Sequence, residues 1–364
     1  MLVQTKAGTG SVTLSPKLVD HRQRAKDEGA PRTSKSRPVL YIATVLAVMV
    51  AAFLFSLRRD GVFACPASKY VGDYYLAYCH GKAYGDYDHG AFWFGLEPTA
   101  RHAAASADVL FIGNSRMQFG FSAPALGRWF DANGHRYYLL GFSHVENVTF
   151  FRPLLRNLHA QPRAYVINLD RFFDDEESLP GRDVMNGTDT RARYVAKRNW
   201  QPPHRLICTW QLALCGDQIS FYRRRETGEW RVDGSLGLVP SDMGAELPVD
   251  SVRVKQEQVN AERFISGLGV DRRCVFLTYV PWQKNETATA AALALALGFD
   301  LMSPKLEHLR TFDGSHLDRE SAERFVTAFL EVGGSRLRQC LDAEAPFPRA
   351  NVAGERNPVA RVAQ

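Results

Sequence analysis

The sequence predicts an α/β protein with a three-layer α/β/α parallel sheet, preceded by a single membrane-spanning helix. Three observations carry this. Short apolar runs and amphipathic helical stretches alternate five times between Ala107 and Val332, the pattern of a parallel sheet with right-handed crossovers. The first run, Val109 to Ile112, is apolar throughout, as a strand buried on both faces would be. Val39 to Leu57 is apolar and uncharged, and at 1.5 Å per residue spans roughly 28 Å, enough for a bilayer core.

The chain has 364 residues, room for one α/β domain with additions. Its net charge of +6 gathers largely in the first 60 residues. No basic run is interleaved with aromatics, so nothing points to nucleic acid. Residues 1–38 are polar and basic (Lys17, Arg22, Arg24, Lys26, Arg32, Lys35, Arg37) and lack hydrophobic periodicity, which predicts a disordered tail. Its charge favours a cytoplasmic N-terminus; Arg58 and Arg59 beyond the apolar run weaken that bias without reversing it. The rival reading is a cleaved signal peptide, but the polar lead is long for one. The nearest small-residue patch, Ala64-Cys65-Pro66-Ala67, is no clean cleavage site. The expectation is an uncleaved signal-anchor over residues 39–57 in the inner (plasma) membrane, with everything from about residue 60 periplasmic or otherwise extracytoplasmic.

The cysteines agree. There are six, and an even count in an exported chain reads as disulfides. Sequence neighbours suggest Cys65 with Cys79 and Cys208 with Cys215, leaving Cys274 with Cys340, among the many pairings six cysteines allow. No Cys/His cluster is tight enough for zinc, so no metal is expected.

Residues 60–107 form an entry segment rich in Tyr, Gly and Asp. It reads as a disulfide-pinned cover, with a glycan contact as the alternative. The α/β domain occupies 108–345. A helix is expected over Ser122–Asn133, then a strand Arg136–Leu140 running into Gly141-Phe142-Ser143-His144, a helix Asn147–His159 and a strand Ala164–Leu169. Residues 171–250 are an insertion. In it Asp174 to Glu177 reads as a solvated loop, Ala192–Trp200 as helix, and Ile219–Arg223 with Trp230–Val232 as a hairpin turning at Thr227-Gly228-Glu229. Arg223, Arg224 and Arg225 are expected to be solvated, and the insertion to carry substrate choice. There follow a helix Val252–Leu268, a strand Cys274–Val280, an Ala-rich helix Thr287–Leu297 and a short fifth strand Phe299–Met302. The last helix starts after Asp318, runs Arg319–Val332 and stops at Gly333-Gly334. Residues 346–364 read as a disordered tail.

Two polar clusters interrupt this scaffold. Gly113-Asn114-Ser115-Arg116 places Ser115 just past the carboxyl end of the first strand, where open α/β sheets hold their ligands. Phe312-Asp313-Gly314-Ser315-His316-Leu317 precedes the last helix. An Asp three residues before a His can orient the imidazole, which can then take a proton from a serine hydroxyl. The structural alternatives are ordinary: a serine that caps a helix, and an Asp-x-x-His turn that touches nothing.

Gly113-Asn114-Ser115 resembles the first block of the SGNH hydrolases (GDSL-type esterases and acyltransferases), and Asp313-Gly314-Ser315-His316 resembles their last. The nearest flavour is the membrane-anchored, periplasmic SGNH-like proteins of polysaccharide acetylation, such as the alginate acetylation proteins. The resemblance runs from about Asp108 to Leu330. It implies a flavodoxin-like strand order, with Ser115 as nucleophile, His316 as base and Asp313 as its orienting carboxylate. Backbone N–H groups of Ser115 and Gly141 would form an oxyanion hole. It further implies acyl transfer, acetyl by family expectation, to water or to a hydroxyl of a cell-envelope or exported glycan. No cofactor is implied, and a membrane-bound O-acyltransferase is implied as donor. Trp282, Arg116 and His144 are candidate substrate-lining residues.

The third family block, Gly-x-Asn-Asp, is replaced by Asp170-Arg171-Phe172-Phe173. Phe172 cannot donate where the family Asn does. Asn168, Asn147 and Asn114 are the nearby side chains that could complete the hole. Loss of one such donor typically costs about 2.7–4 kcal/mol of transition-state stabilisation. A second class therefore stays open: an anchored, non-catalytic protein that binds a glycan or organises an assembly.

Overall fold

The structure, a computed structural model, describes residues 38–80, 83–210 and 214–343. The tails expected to be disordered lie outside the described residues, apart from Pro38.

Helix α1 (Pro38–Asp60) is the one described helix long and apolar enough to cross a membrane, and its apolar stretch is not buried. A 3-10 turn follows at Val62–Ala64. The entry segment then forms strands β1 (Tyr74–Cys79) and β2 (Gly85–Asp86) and helices α2 (Asp88–Trp93) and α3 (Pro98–Ala105).

The first parallel strand, β3 (Val109–Asn114), leads directly into helix α4 (Ser115–Phe121), and helix α5 (Pro124–Asn133) comes next. Strand β4 (Tyr137–Phe142), helix α6 (Val148–Leu158) and strand β5 (Ala164–Asn168) continue the alternation. The helix expected over Ser122–Asn133 is α5, which starts two residues later; α4 is a separate helix ahead of it, and Asn114 caps α4: its Oδ1 accepts the N–H of Arg116 at 3.0 Å. Ser115 occupies the first helical position rather than the cap.

The insertion contributes helices α7 (Leu179–Asn186) and α8 (Thr190–Trp210), strands β6 (Ser220–Arg224) and β7 (Trp230–Asp233), and a two-residue strand β8 (Ser241–Asp242). Helix α8 runs past the predicted end at Trp200 and through Pro202 and Pro203. Those prolines remove donors to the carbonyls of Arg198 and Asn199, both exposed residues where water can substitute. The domain closes with α9 (Ser251–Ser266), β9 (Val275–Thr278), α10 (Thr287–Ala296), the short β10 (Arg310–Thr311) and α11 (Arg319–Asp342).

The parallel sheet has the order β4-β3-β5-β9, with Gly113 opposite Gly141 and Ile112 opposite Ile167. Alternate strand residues serve opposite faces, as the pleat requires. Leu110, Ile112, Leu140, Ile167 and Leu277 pack with Leu154 of α6, Phe264 of α9 and Leu293 of α10. Phe111, Leu139, Val166 and Phe276 pack with Phe121, Phe130, Phe325 and Phe329 of α4, α5 and α11. The fifth strand is reduced to one parallel bridge, Leu277 to Leu301, with Met302 N donating to Leu277 O at 2.8 Å.

Helix α11 does not stop at Gly333-Gly334. A Cβ at Gly333 would lie 1.7 Å from Cε of Met302, and one at Gly334 3.1 Å from Nε1 of Trp129. These glycines admit neighbouring side chains to the helix surface. Three disulfides join Cys65 to Cys79, Cys208 to Cys215 and Cys274 to Cys340.

The entry segment and the insertion share a second, antiparallel sheet of order β2-β1-β6-β7. Its β6–β7 turn closes over the edge strand β4: Leu139 N donates to Thr227 O at 2.9 Å. Arg223, expected in solvent, is fully buried. Its guanidinium pairs with Asp88 at 2.6 Å and donates to the carbonyls of Leu139 and Gly141. Desolvation is offset because nearly every donor finds an acceptor.

A second buried network backs the loop after β4. His89 lies between Asp86 (Nδ1 to Oδ1, 3.0 Å) and Glu146 (Nε2 to Oε2, 2.7 Å). Ser143 Oγ donates to Asp86 Oδ2 at 2.5 Å. Burial alone would lower the imidazole pKa, but the two carboxylates outweigh it and raise it to about 10.

Candidate active site

The carboxyl ends of the parallel strands bring the two polar clusters together. Ser115, at the start of α4, and His316, between β10 and α11, are 201 residues apart in sequence, yet Ser115 Oγ and His316 Nε2 are 2.8 Å apart. His316 Nδ1 lies 2.7 Å from Asp313 Oδ2. The other carboxylate oxygen, Oδ1, accepts the backbone N–H groups of Ser315 (3.0 Å) and His316 (2.9 Å). Gly314 turns this loop at φ +81°, a left-handed conformation that glycine adopts freely. Burial pushes the Asp313 carboxyl upward, but the hydrogen bond and charge of His316, with the two backbone donors, hold it below its usual range. The imidazole is held by aromatic rings: Phe312 stacks on it at 5.5 Å, and Phe119 lies tilted at 4.9 Å.

Arg116 joins the two clusters a second time. Its Nε donates to Ser315 Oγ at 3.1 Å, its Nη1 pairs with Asp170, and its guanidinium lies 3.7 Å over the Trp282 ring. Asp170 also accepts from Asn114 Nδ2 at 2.6 Å. One carboxylate therefore fixes both neighbours of Ser115. Sequence reasoning marked Asp170 only as the start of a departing motif. The available signal was a charged residue immediately after an apolar strand, at the edge where β3 presents its serine.

The remaining candidates divide. Trp282 is half-buried and adjoins the site through Arg116. His144 is exposed, with φ +63°, and no described hydrogen bond or ring contact links it to Ser115 or His316. Gly141 lies within β4, and its N–H already donates to Gln118 Oε1 at 2.9 Å. Its lack of a side chain has a packing reason: a Cβ would fall 2.8 Å from the Asn114 carbonyl oxygen. Asn168 is buried at the end of β5. Its Oδ1 accepts from Val280 N at 3.0 Å, while Nδ2 has no partner among the described residues. Asn147 caps α6. Phe172 is buried against Phe151 and Phe264, in the core. A cleft of about 610 Å³ lies apart from this constellation, lined by residues including Tyr84, Asp183, Arg193, Tyr194 and Lys197 but none of Ser115, Asp313 and His316.

No family model matches the chain, and no curated protein or solved structure matches it either.

Proposed function

We propose that the protein is an SGNH-like serine acyltransferase or esterase, acting on acyl esters, with acetyl as the expected group. The single observation that carries this reading is the hydrogen-bonded chain Ser115–His316–Asp313. Ser115 Oγ attacks the ester carbonyl while His316 Nε2 takes its proton. The tetrahedral intermediate collapses, the ester C–O bond breaks, and His316 returns the proton to the leaving alkoxide. Water or an acceptor hydroxyl then repeats the sequence on the acyl-serine. Asp313 holds the imidazole tautomer and stabilises the imidazolium. The Ser115 N–H, in the first turn of α4, has no carbonyl within its own helix to bond, and is one oxyanion donor. Asn168 Nδ2 is the second candidate. The strand order β4-β3-β5-β9 is compatible with the flavodoxin-like sheet of that superfamily.

The apolar helix α1 and the three disulfides support a single-pass anchor with its N-terminus in the cytoplasm and its α/β domain in an oxidising, extracytoplasmic space. An envelope or exported glycan is then the expected acceptor, with a membrane-bound acyltransferase as donor.

One observation favours a second reading, an anchored glycan-binding or assembly protein without turnover. Phe172 packs in the core, and the Gly141 N–H is engaged by Gln118, so the oxyanion hole has fewer ready donors than the resemblance implies. A fluorophosphonate probe separates the two. Labelling that is lost in Ser115→Ala and weakened in His316→Ala supports the enzyme. An unlabelled, folded protein that still binds polysaccharide supports the alternative. Transfer is told from hydrolysis by whether acetyl from a model ester reaches an added oligosaccharide.

A further inference from the structure

Helix α8 carries its least buried apolar residues near its C-terminal end. Trp210 is 81% exposed and Leu206 64% exposed; with Ile207 and Leu214 they line a groove of about 440 Å³. Leu236, 56% exposed, belongs to a neighbouring segment. Large apolar side chains left exposed side by side, with Trp210 foremost, suit a contact surface better than open water.

Its position identifies the contact. Phe63, in the turn that follows α1, packs edge-on against Trp200 and His204 of α8, at 6.2 and 5.8 Å. His204 Nε2 lies 2.9 Å from the Cys65 carbonyl oxygen. The strand-like segment after Leu214 bonds to the same turn: Gly216 N donates to Phe63 O at 2.8 Å and Gln218 N to Ala64 O at 3.0 Å. Leu236 bridges to Gln218. All these segments therefore gather around Val62–Ala64.

That turn begins two residues after the end of α1. Consecutive Cα atoms are about 3.8 Å apart, so Val62 lies no more than roughly 8 Å from Asp60 whatever the angle of the helix. Headgroup regions add about 5–7 Å to each side of the hydrocarbon core. Along α8, Trp210 stands six residues beyond His204, about 9 Å of helix axis. Tryptophan concentrates at this depth, with an apolar body and a polar N–H. Arg58 and the exposed Arg205 supply cations for anionic headgroups.

We propose that Leu206, Trp210, Leu214 and Leu236 form a membrane footprint, seated at the headgroup–acyl boundary beside the exit of α1. It holds the globular body on the bilayer instead of leaving it free on a tether. This rests on the reading of α1 as a membrane anchor, and the test separates the two. All six tryptophans lie outside α1, so their emission reports only the globular body. Full-length protein is reconstituted into phosphatidylethanolamine–phosphatidylglycerol vesicles with acyl chains brominated near the headgroup. The expected result is quenching relative to unbrominated vesicles, most of it lost in Trp210→Phe. In Leu206→Glu/Leu214→Glu, exposed positions whose change leaves the core intact, the lipid quenching falls and acrylamide quenching rises. Protein that floats with the vesicles but is quenched equally with and without Trp210 overturns the footprint and leaves the anchor standing. Protein that does not float overturns both.

Discussion

Arg116 Nε and Ser315 Oγ are joined by a 3.1 Å hydrogen bond, linking the residue after the serine to the residue before the histidine. The same guanidinium is paired with Asp170 and stacked on Trp282, so its plane is fixed on three sides. Lysine can supply the charge but neither the fork nor the stacking plane. Arg116→Lys is therefore expected to lower kcat/KM by about 10–100-fold, the equivalent of one charge-assisted hydrogen bond, while leaving the fold intact. Steady-state hydrolysis of a model acetyl ester, with circular dichroism as the folding control, measures this.

Asp313 Oδ2 lies 2.7 Å from His316 Nδ1, and in the proposed mechanism it orients the imidazole and keeps the proton on Nδ1. Asp313→Asn preserves shape but offers an amide that can present a donor to Nδ1, favouring the unproductive tautomer. A fall in kcat on the order of 10⁴-fold is expected, as for serine hydrolases generally. The rate of fluorophosphonate labelling should drop in parallel. An unchanged labelling rate would remove the carboxylate from the mechanism.

The buried His89 gives the fold a pH dependence. Its pKa is raised from 6.5 to about 10, so its contribution to stability is complete below pH 6.5 and is lost as pH rises through 10. Asp86 is held below its usual value, despite burial, by the charge and hydrogen bond of His89; its contribution is lost as pH falls below about 3.8. His89→Gln leaves two buried carboxylates without their cation, at a cost of about 3–5 kcal/mol. Urea unfolding at pH 6 and pH 10 should show wild type and variant converging at the higher pH.

Gly141 tests packing against chemistry. A methyl there meets the Asn114 carbonyl oxygen at 2.8 Å, and Asn114 caps the helix that begins with Ser115. Gly141→Ala is expected to lose about 1–3 kcal/mol of stability, as overpacked cores do, and to lose activity with it. Denaturant midpoints and probe labelling on the same samples decide whether the two losses occur together.

The Cys274–Cys340 disulfide spans 66 residues and ties the last helix to the turn just before β9. On the chain-entropy account, a loop of that length stabilises by about 4 kcal/mol. Cys274→Ser with Cys340→Ser should shift the urea midpoint accordingly and leave the initial labelling of Ser115 unaffected.

Much of this was legible in the chain. The four parallel strands are short apolar runs buried on both faces, and periodicity locates them to within a few residues. The Ser115 cluster is legible because polar residues end an apolar strand, and the His316 cluster because an Asp stands three residues before a His ahead of a well-marked helix. Three features were hidden for physical reasons. Arg223 looked like a surface residue because its partners, Asp88 and the β4 carbonyls, come from distant segments. Gly333-Gly334 looked like a stop because sequence does not reveal that Met302 and Trp129 need the room. Asp170 looked like damage to a motif, because its partners Asn114 and Arg116 belong to the distant junction of β3 and α4.

The hairpin laid over β4 has a consequence for dissection of the chain. With Thr227 and Arg223 removed, β4 would offer a row of open amides and carbonyls to any neighbouring copy, a template for polymerisation. Excising residues 171–250 to obtain a minimal α/β core should therefore yield an insoluble product, whatever the integrity of the serine and histidine loops. The shortest soluble fragment is expected to begin ahead of Val62, so that the turn, the Cys65–Cys79 cystine and β1 are all retained.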